Sequence, residues 1–233
     1  MERANEFIGL YNRLSEHLKV IAGVDSTVQF AQLVALAARK NSAVRRMADR
    51  LKDYGDLRNA IVHHRAYPHE VIAEPTEATV SRLAGIVQDI FSPRKLIPAF
   101  QKEIHCFSPR DMLITALGYM REHDFSQIVV LRNDSISLLT VEGVARWLEE
   151  RAEEDIISVK EALIEDAQAY ETSSTFAVLP RTSTIYDADE TFVNTIRGRQ
   201  PRLFAIVITQ TGKSTEKPIG LVTPWDLLGH DQS

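Results

Sequence analysis

Cysteine is almost absent from this chain: of 233 residues only Cys106 is one. That excludes an internal disulfide and any metal knuckle built from several thiolates. Long apolar runs are missing too; no stretch of 18 or more occurs, so no membrane-spanning helix is expected. The opening segment, MERANEFIGLYNRL, interrupts its apolar positions with charges and lacks the core of a signal peptide. Together these absences point to the cytoplasm. What the chain does have is 44% hydrophobic and 25% charged residues, the profile of a globular protein rather than a disordered one. Its length suits one large domain or two small ones.

The net charge of −5 conceals an uneven distribution. Residues 1–98 carry 14 basic and 11 acidic side chains, residues 99–233 carry 13 and 21. The basic half is the better candidate for meeting a polyanion, because phosphate contacts are largely electrostatic. Variation between two domains would produce the same imbalance.

Residues 1–93 read as helices only. ANEFIGLYNRLSEHLKVIAG places Phe7, Ile8, Leu10, Tyr11, Leu14 and Leu18 near helical spacing. DSTVQFAQLVALAARKN opens on an Asp-Ser cap and keeps Val28, Leu33, Leu36 and Ala37 in register. SAVRRMADRLKDYGDLRNAIVHHR is a third helix, with a distortion expected at Gly55 and a stop at Pro68. A fourth, capped by Thr76, carries Val80, Leu83, Ile86, Val87 and Ile90 as its buried stripe. Residues 94–103, around SPRKLIP, read as a linker.

From residue 104 the pattern changes to strands and helices. EIHCF is strand-like, and a helix is expected to open at Ser108 with Pro109 in its first position. SQIVVLR and ISLLT are strands around an NDS turn, and VEGVARWLEERAEE is a helix. A connecting helix is expected within 153–172. The order then recurs over 173–233: TFAVLP, a helix in DADETFVNTIRGR, LFAIVIT, a turn-rich loop, IGLVT and PWDLLG. Two β-α-β-β-α units, 104–152 and 173–233, make an internal repeat with a period of about 70–80 residues, too long for a solenoid. The expected fold class is an all-α four-helix domain followed by an α+β pair.

In KPIGLVTPWDLL, at 217–228, a strand delivers Thr223 just before a helix whose first turn holds Asp226. A hydroxyl and unpaired helix N–H groups suit a phosphate, and a carboxylate can accept from two ribose hydroxyls. The local alternative is that Thr223 caps the helix and Asp226 complements its dipole. The segment resembles the end of a CBS domain, a module found in tandem pairs that bind adenine nucleotides. The resemblance covers 104–231, including the strand pairs IVVLR with ISLLT and AIVIT with IGLVT. It implies an AMP-, ADP- or ATP-type regulatory ligand at Thr223 and Asp226. The first repeat departs from the pattern: Thr140 survives, but Gly143 stands where the aspartate would. One site rather than two is therefore expected. Arg181, Arg199, Arg202, Lys213 and Lys217 are candidate phosphate partners.

The third helix carries DLRNAIVHH at 56–64. At roughly 100° per residue, Leu57 and Ile61 continue the apolar side from Tyr54, and Arg58 points away from it, about 140° from His63. One helix does not join Arg58 to His63; two copies across a two-fold axis could. Arg58, Asn59 and His63, on the third helix of a four-helix unit, resemble the motif of HEPN domains. Many of these are metal-independent endoribonucleases acting as dimers, and others only bind RNA or nucleotides. Metal-free RNA cleavage needs a proton carrier at the 2′-OH, which a histidine supplies. It also needs a cation for the developing phosphate charge, which an arginine supplies. No carboxylate or Cys/His ligand set suggests a metal nuclease. Otherwise Arg58 pairs with an acid and His63 and His64 complement the helix C-terminus, with His64 and His69 as bystanders.

Two functions are expected from this pattern. One is an adenine-nucleotide-sensing homodimer whose helical domain cleaves or binds RNA with no catalytic cofactor. The other is a non-enzymatic, nucleotide-responsive regulator or adaptor.

Overall fold

A computed structural model describes residues 2–25, 28–63, 73–133, 135–152, 158–172, 175–198 and 202–228. The chain divides into two compact units, Met1–Arg94 and Lys95–Ser233.

The described residues of the first unit are mainly helical: α1 (Glu2–Ala22), α2 (Phe30–Ala38), α3 (Ser42–His63) and α4 (Glu77–Phe91). α1 packs on α2 and α4, and α2 packs on α3. The apolar stripes meet in a core that fully buries Phe7, Leu14, Leu18, Leu33, Leu51 and Leu83. Thr76 caps α4 by accepting from the Thr79 N–H at 3.2 Å, and all five stripe residues of α4 are buried. α2 starts later than the sequence suggests, at Phe30 after Gln29; Ser26 of the expected cap and Pro68 of the expected stop lie outside the described residues.

α3 runs as one helix through Gly55, where a distortion was expected. A Cβ at position 55 would stand 3.0 Å from the Phe30 ring of α2. Glycine is used here for close approach of two helices, which offsets its poor helix propensity of about 1 kcal/mol.

The second unit holds two three-stranded sheets. β1 (Cys106–Phe107), β2 (Gln127–Arg132) and β3 (Ser135–Thr140) form the first, with β1 parallel and β3 antiparallel to β2. β4 (Phe176–Pro180), β5 (Ala205–Thr209) and β6 (Gly220–Val222) repeat that arrangement. Between β1 and β2 runs α6 (Leu113–His123), and α7 (Val141–Glu150) follows β3. The second copy has α9 (Ile185–Arg197) and α10 (Pro224–Leu228) in the same places. Ile128 pairs with Leu139 as Ile206 pairs with Val222, so Thr140 and Thr223 end equivalent strands. Val129, Ile136 and Leu138 of one sheet join Ala205 and Val207 of the other in a shared apolar layer.

Three boundaries differ from the sequence reading. α6 does not open at Ser108; residues 108–110 make a turn in which the Asp111 carboxylate accepts from the Ser108 N–H at 2.7 Å. The expected linker 94–103 carries α5 (Leu96–Ala99), whose Leu96 and Ile97 are buried with Ala188, Phe192, Ile206 and Val222 of the second repeat. The expected connecting helix is, among the described residues, only α8 (Ile164–Gln168), and its Ile164 and Ala167 belong to the core of the first repeat. Each repeat is thus completed by the segment that precedes the other one. Apolar residues in a linker signal such a role, but not which core receives them.

Candidate functional site

Thr223 and Asp226 sit where the end of β6 meets α10. Both the backbone N–H and the hydroxyl of Thr223 donate to Asp226 Oδ2, at 2.7 and 2.8 Å. Thr223 Oγ1 in turn faces the Asp226 N–H at 3.4 Å. This reciprocal contact is a capping arrangement, and it recurs at Thr184 and Asp187, where the first two distances are 2.7 and 2.9 Å. The cap alone therefore does not mark a ligand site.

What sets Asp226 apart is the space beside it. A cavity of about 290 Å³ is lined by Leu221, Thr223, Trp225 and Asp226 from the end of the second repeat. Its opposite wall comes from residues 102–105 before β1 and 124–129 at the start of β2. That volume lies near the lower end of small-molecule clefts. Its lining mixes apolar groups with Lys102, Glu103, His105, Asp124 and Asp226, the combination that orients a polar ligand with an apolar part. Aromatic rings gather on one side: His105 stacks on Tyr119 at 4.8 Å, and Tyr119 lies 6.0 Å from Phe125, centroid to centroid. Trp225 is 76% exposed at the rim.

Among the candidate cations, Arg202 lines a smaller cavity that shares Thr223, Trp225, Ser126 and Gln127 with the main one. Its guanidinium lies 5.2 Å from the Phe204 ring. Arg181 is turned to Gln210 at 3.3 Å, and Arg199 lies outside the described residues. Lys102, His105, Tyr119 and Phe125 were not singled out in the sequence, because they fall in a supposed linker, in a strand-like segment and in an expected helix, all far from the Thr-Asp motif. Trp225, inside the motif, was the one legible signal.

In the first repeat Thr140 caps α7, accepting from the Gly143 N–H at 3.0 Å.

In the helical unit the structure corrects the orientation of Arg58. The side chain does not point away from the apolar side: Arg58 is half-buried on the line of Val44 and Leu51, seven residues apart along α3. Its Cζ stands 5.9 Å from the centroid of Tyr11 on α1, and Nη1 makes a long hydrogen bond of 3.4 Å to Asn59 Oδ1. Burial pushes the Tyr11 phenol up to about 12, and the Arg58 charge opposes that rise. Asn59 and Asp56 are exposed, while Leu57 is only half-buried. His63 ends α3, but its side chain, and His64 and His69 altogether, lie outside the described residues.

Among the described residues no group of three or more His, Cys, Asp or Glu could hold a metal ion. No helix among them is long and apolar enough to cross a membrane.

Comparison with family models finds no match, nor does comparison with curated proteins. Solved structures of CBS-domain proteins do match. One is a putative signal-transduction protein with CBS domains from Burkholderia ambifaria MC40-6, 22% identical over 57% of this chain and 88% of that one, with a TM-score of 0.42. Another is CBSX2 in complex with AMP, 12% identical over 59% of this chain and 96% of that one, with a TM-score of 0.43. A third is the CBS domain protein TA0289 of unknown function from Thermoplasma acidophilum, 12% identical over 58% and 68%, also at 0.43.

Proposed function

We propose that residues 95–233 form a CBS pair that binds one adenine nucleotide per chain at Thr223 and Asp226, and that the protein is a nucleotide-responsive regulator. The observation that carries this reading is the cavity beside Asp226. Asp226 uses Oδ2 for its own helix, which leaves Oδ1 to accept from ribose hydroxyls. Arg202 supplies the phosphate end, and the apolar and aromatic walls take the base. Calorimetry with AMP, ADP, ATP and adenosyl compounds is expected to give saturable binding of at least one of them at one per chain. Absence of heat with all of them would end the nucleotide reading.

For the helical unit the reading favoured is the non-enzymatic one: it docks a partner or a second copy and transmits the nucleotide state. Its support is Arg58, whose guanidinium packs on Tyr11 in the manner of a structural cation–π contact. A homodimer accords with the exposed Ile196 of α9 and Trp225 and Leu228 of α10, apolar surface that a second copy would cover. The second reading, a HEPN-like ribonuclease or RNA-binding dimer using Arg58, Asn59 and His63, draws on the adjacency of Arg58 and Asn59. Wild-type, Arg58→Ala and His63→Ala proteins incubated with pooled RNA separate the two. No cleavage by any of them, with or without AMP or ATP, is the expected outcome. Cleavage by wild type that both variants lose would establish the nuclease instead.

A further inference from the structure

We propose that Glu171 is a built-in occupant of the first repeat: its carboxylate holds the position that Asp226 holds in the second, and so closes that repeat to nucleotide. The register of the two sheets makes Thr140 and Thr223 equivalent, and Gly143 follows Thr140 by three residues as Asp226 follows Thr223. In the first repeat the Thr140 N–H and hydroxyl both donate to Glu171 Oε1, at 2.6 and 2.9 Å. In the second the same two donors of Thr223 reach Asp226 Oδ2 at 2.7 and 2.8 Å. A carboxylate oxygen therefore receives the same pair of donors in both, but in the first it arrives from 31 residues further along the chain.

Gly143 is the condition for this substitution. A Cβ there would collide with Glu171 Oε1 and stand 2.6 Å from its Cδ, so a side chain at 143 would displace the Glu171 carboxylate from this position. The missing aspartate is then not simply a loss; glycine makes room for the replacement. Glu171 differs from Asp226 in its surroundings. Its second oxygen, Oε2, is buried with no hydrogen-bond partner among the described residues, whereas Asp226 lines an open cavity. Burial pushes the Glu171 carboxyl up, against the Thr140 hydrogen bonds and the nearby Arg146 charge; Glu142 adds to the rise. Arg146 also bonds the Tyr170 carbonyl at 3.4 Å, so α7 grips the segment that carries Glu171. The half-buried Glu171 carboxylate fills the space beside residue 143 and leaves no room there for a ribose.

The clasp is tested by a double-mutant cycle on the full chain, read as Tm. Gly143→Ala is expected to lower Tm by at least about 3 °C in the wild-type background and to lose most of that effect beside Glu171→Ala. Additive effects of the two changes would overturn the clasp. The closure to nucleotide rests on the CBS reading and has its own test by AMP, ADP and ATP calorimetry. Asp226→Ala protein is expected to retain no site, and one remaining nucleotide per chain that Gly143→Ala or Glu171→Ala alters would overturn the closure. Wild-type protein that binds nothing would sink the proposed function and leave the cycle to judge the clasp.

Discussion

Alanine at position 226 is expected to weaken adenine-nucleotide binding about 100-fold or more, measured by calorimetry against the wild type. Two hydrogen bonds from ribose hydroxyls to an ionised carboxylate contribute roughly 1.5–3 kcal/mol each, and each 1.4 kcal/mol is about tenfold in affinity. The same change removes the cap on α10, because Asp226 Oδ2 also holds the Thr223 N–H and hydroxyl. That loss costs about 0.5–2 kcal/mol of stability. Asp226→Asn separates the effects: it keeps an acceptor for Thr223 and a near-native Tm, yet loses the charge that strengthens the ribose contacts. Binding by Asp226→Ala equal to wild type would move the ligand away from this cavity.

Leu96→Ala is expected to cost about 2–5 kcal/mol of stability, read from chemical denaturation. Leu96 is 0% exposed and packs with Ala188, Phe192, Ile206, Ile208 and Val222 of the second repeat. Truncation leaves a cavity in that core at a position that reads as linker in the sequence. Val20→Ala, at a residue 78% exposed, serves as the control and should stay within about 0.5 kcal/mol. A Leu96→Ala protein as stable as the control would mean that residues 94–103 only connect, with no part in the second repeat.

Both experiments bear on what was legible in advance. The strands of the second unit were readable because β5 is buried throughout and β2 at Ile128, Val129 and Val130, so that both appear as short apolar runs. The Thr-x-x-Asp turn was readable because it is local: its hydrogen bonds span three residues. The start of α6 was misplaced because Ser108 and Pro109 satisfy the rules for a helix start, while Asp111 uses its carboxylate to close a turn there instead. In α3, the apolar side drawn from Leu57 and Ile61 placed Arg58 outward. Val44, Leu51 and Arg58 share one line, and the rings of Phe30 and Tyr11 decide which line faces the core.

By itself the sequence determined most of the element types, the repeat and the chemistry of the turn at Thr223, since periodicity and capping depend on neighbours within a turn or two. Tertiary structure decided three further things: that Leu96 and Ile164 each complete a core away from their neighbours in sequence, that a cavity opens beside Asp226, and that Glu171 enters the space left by Gly143. Those contacts join residues distant in the chain, and only packing, through volume and register, chooses among the partners that hydrophobicity and charge allow.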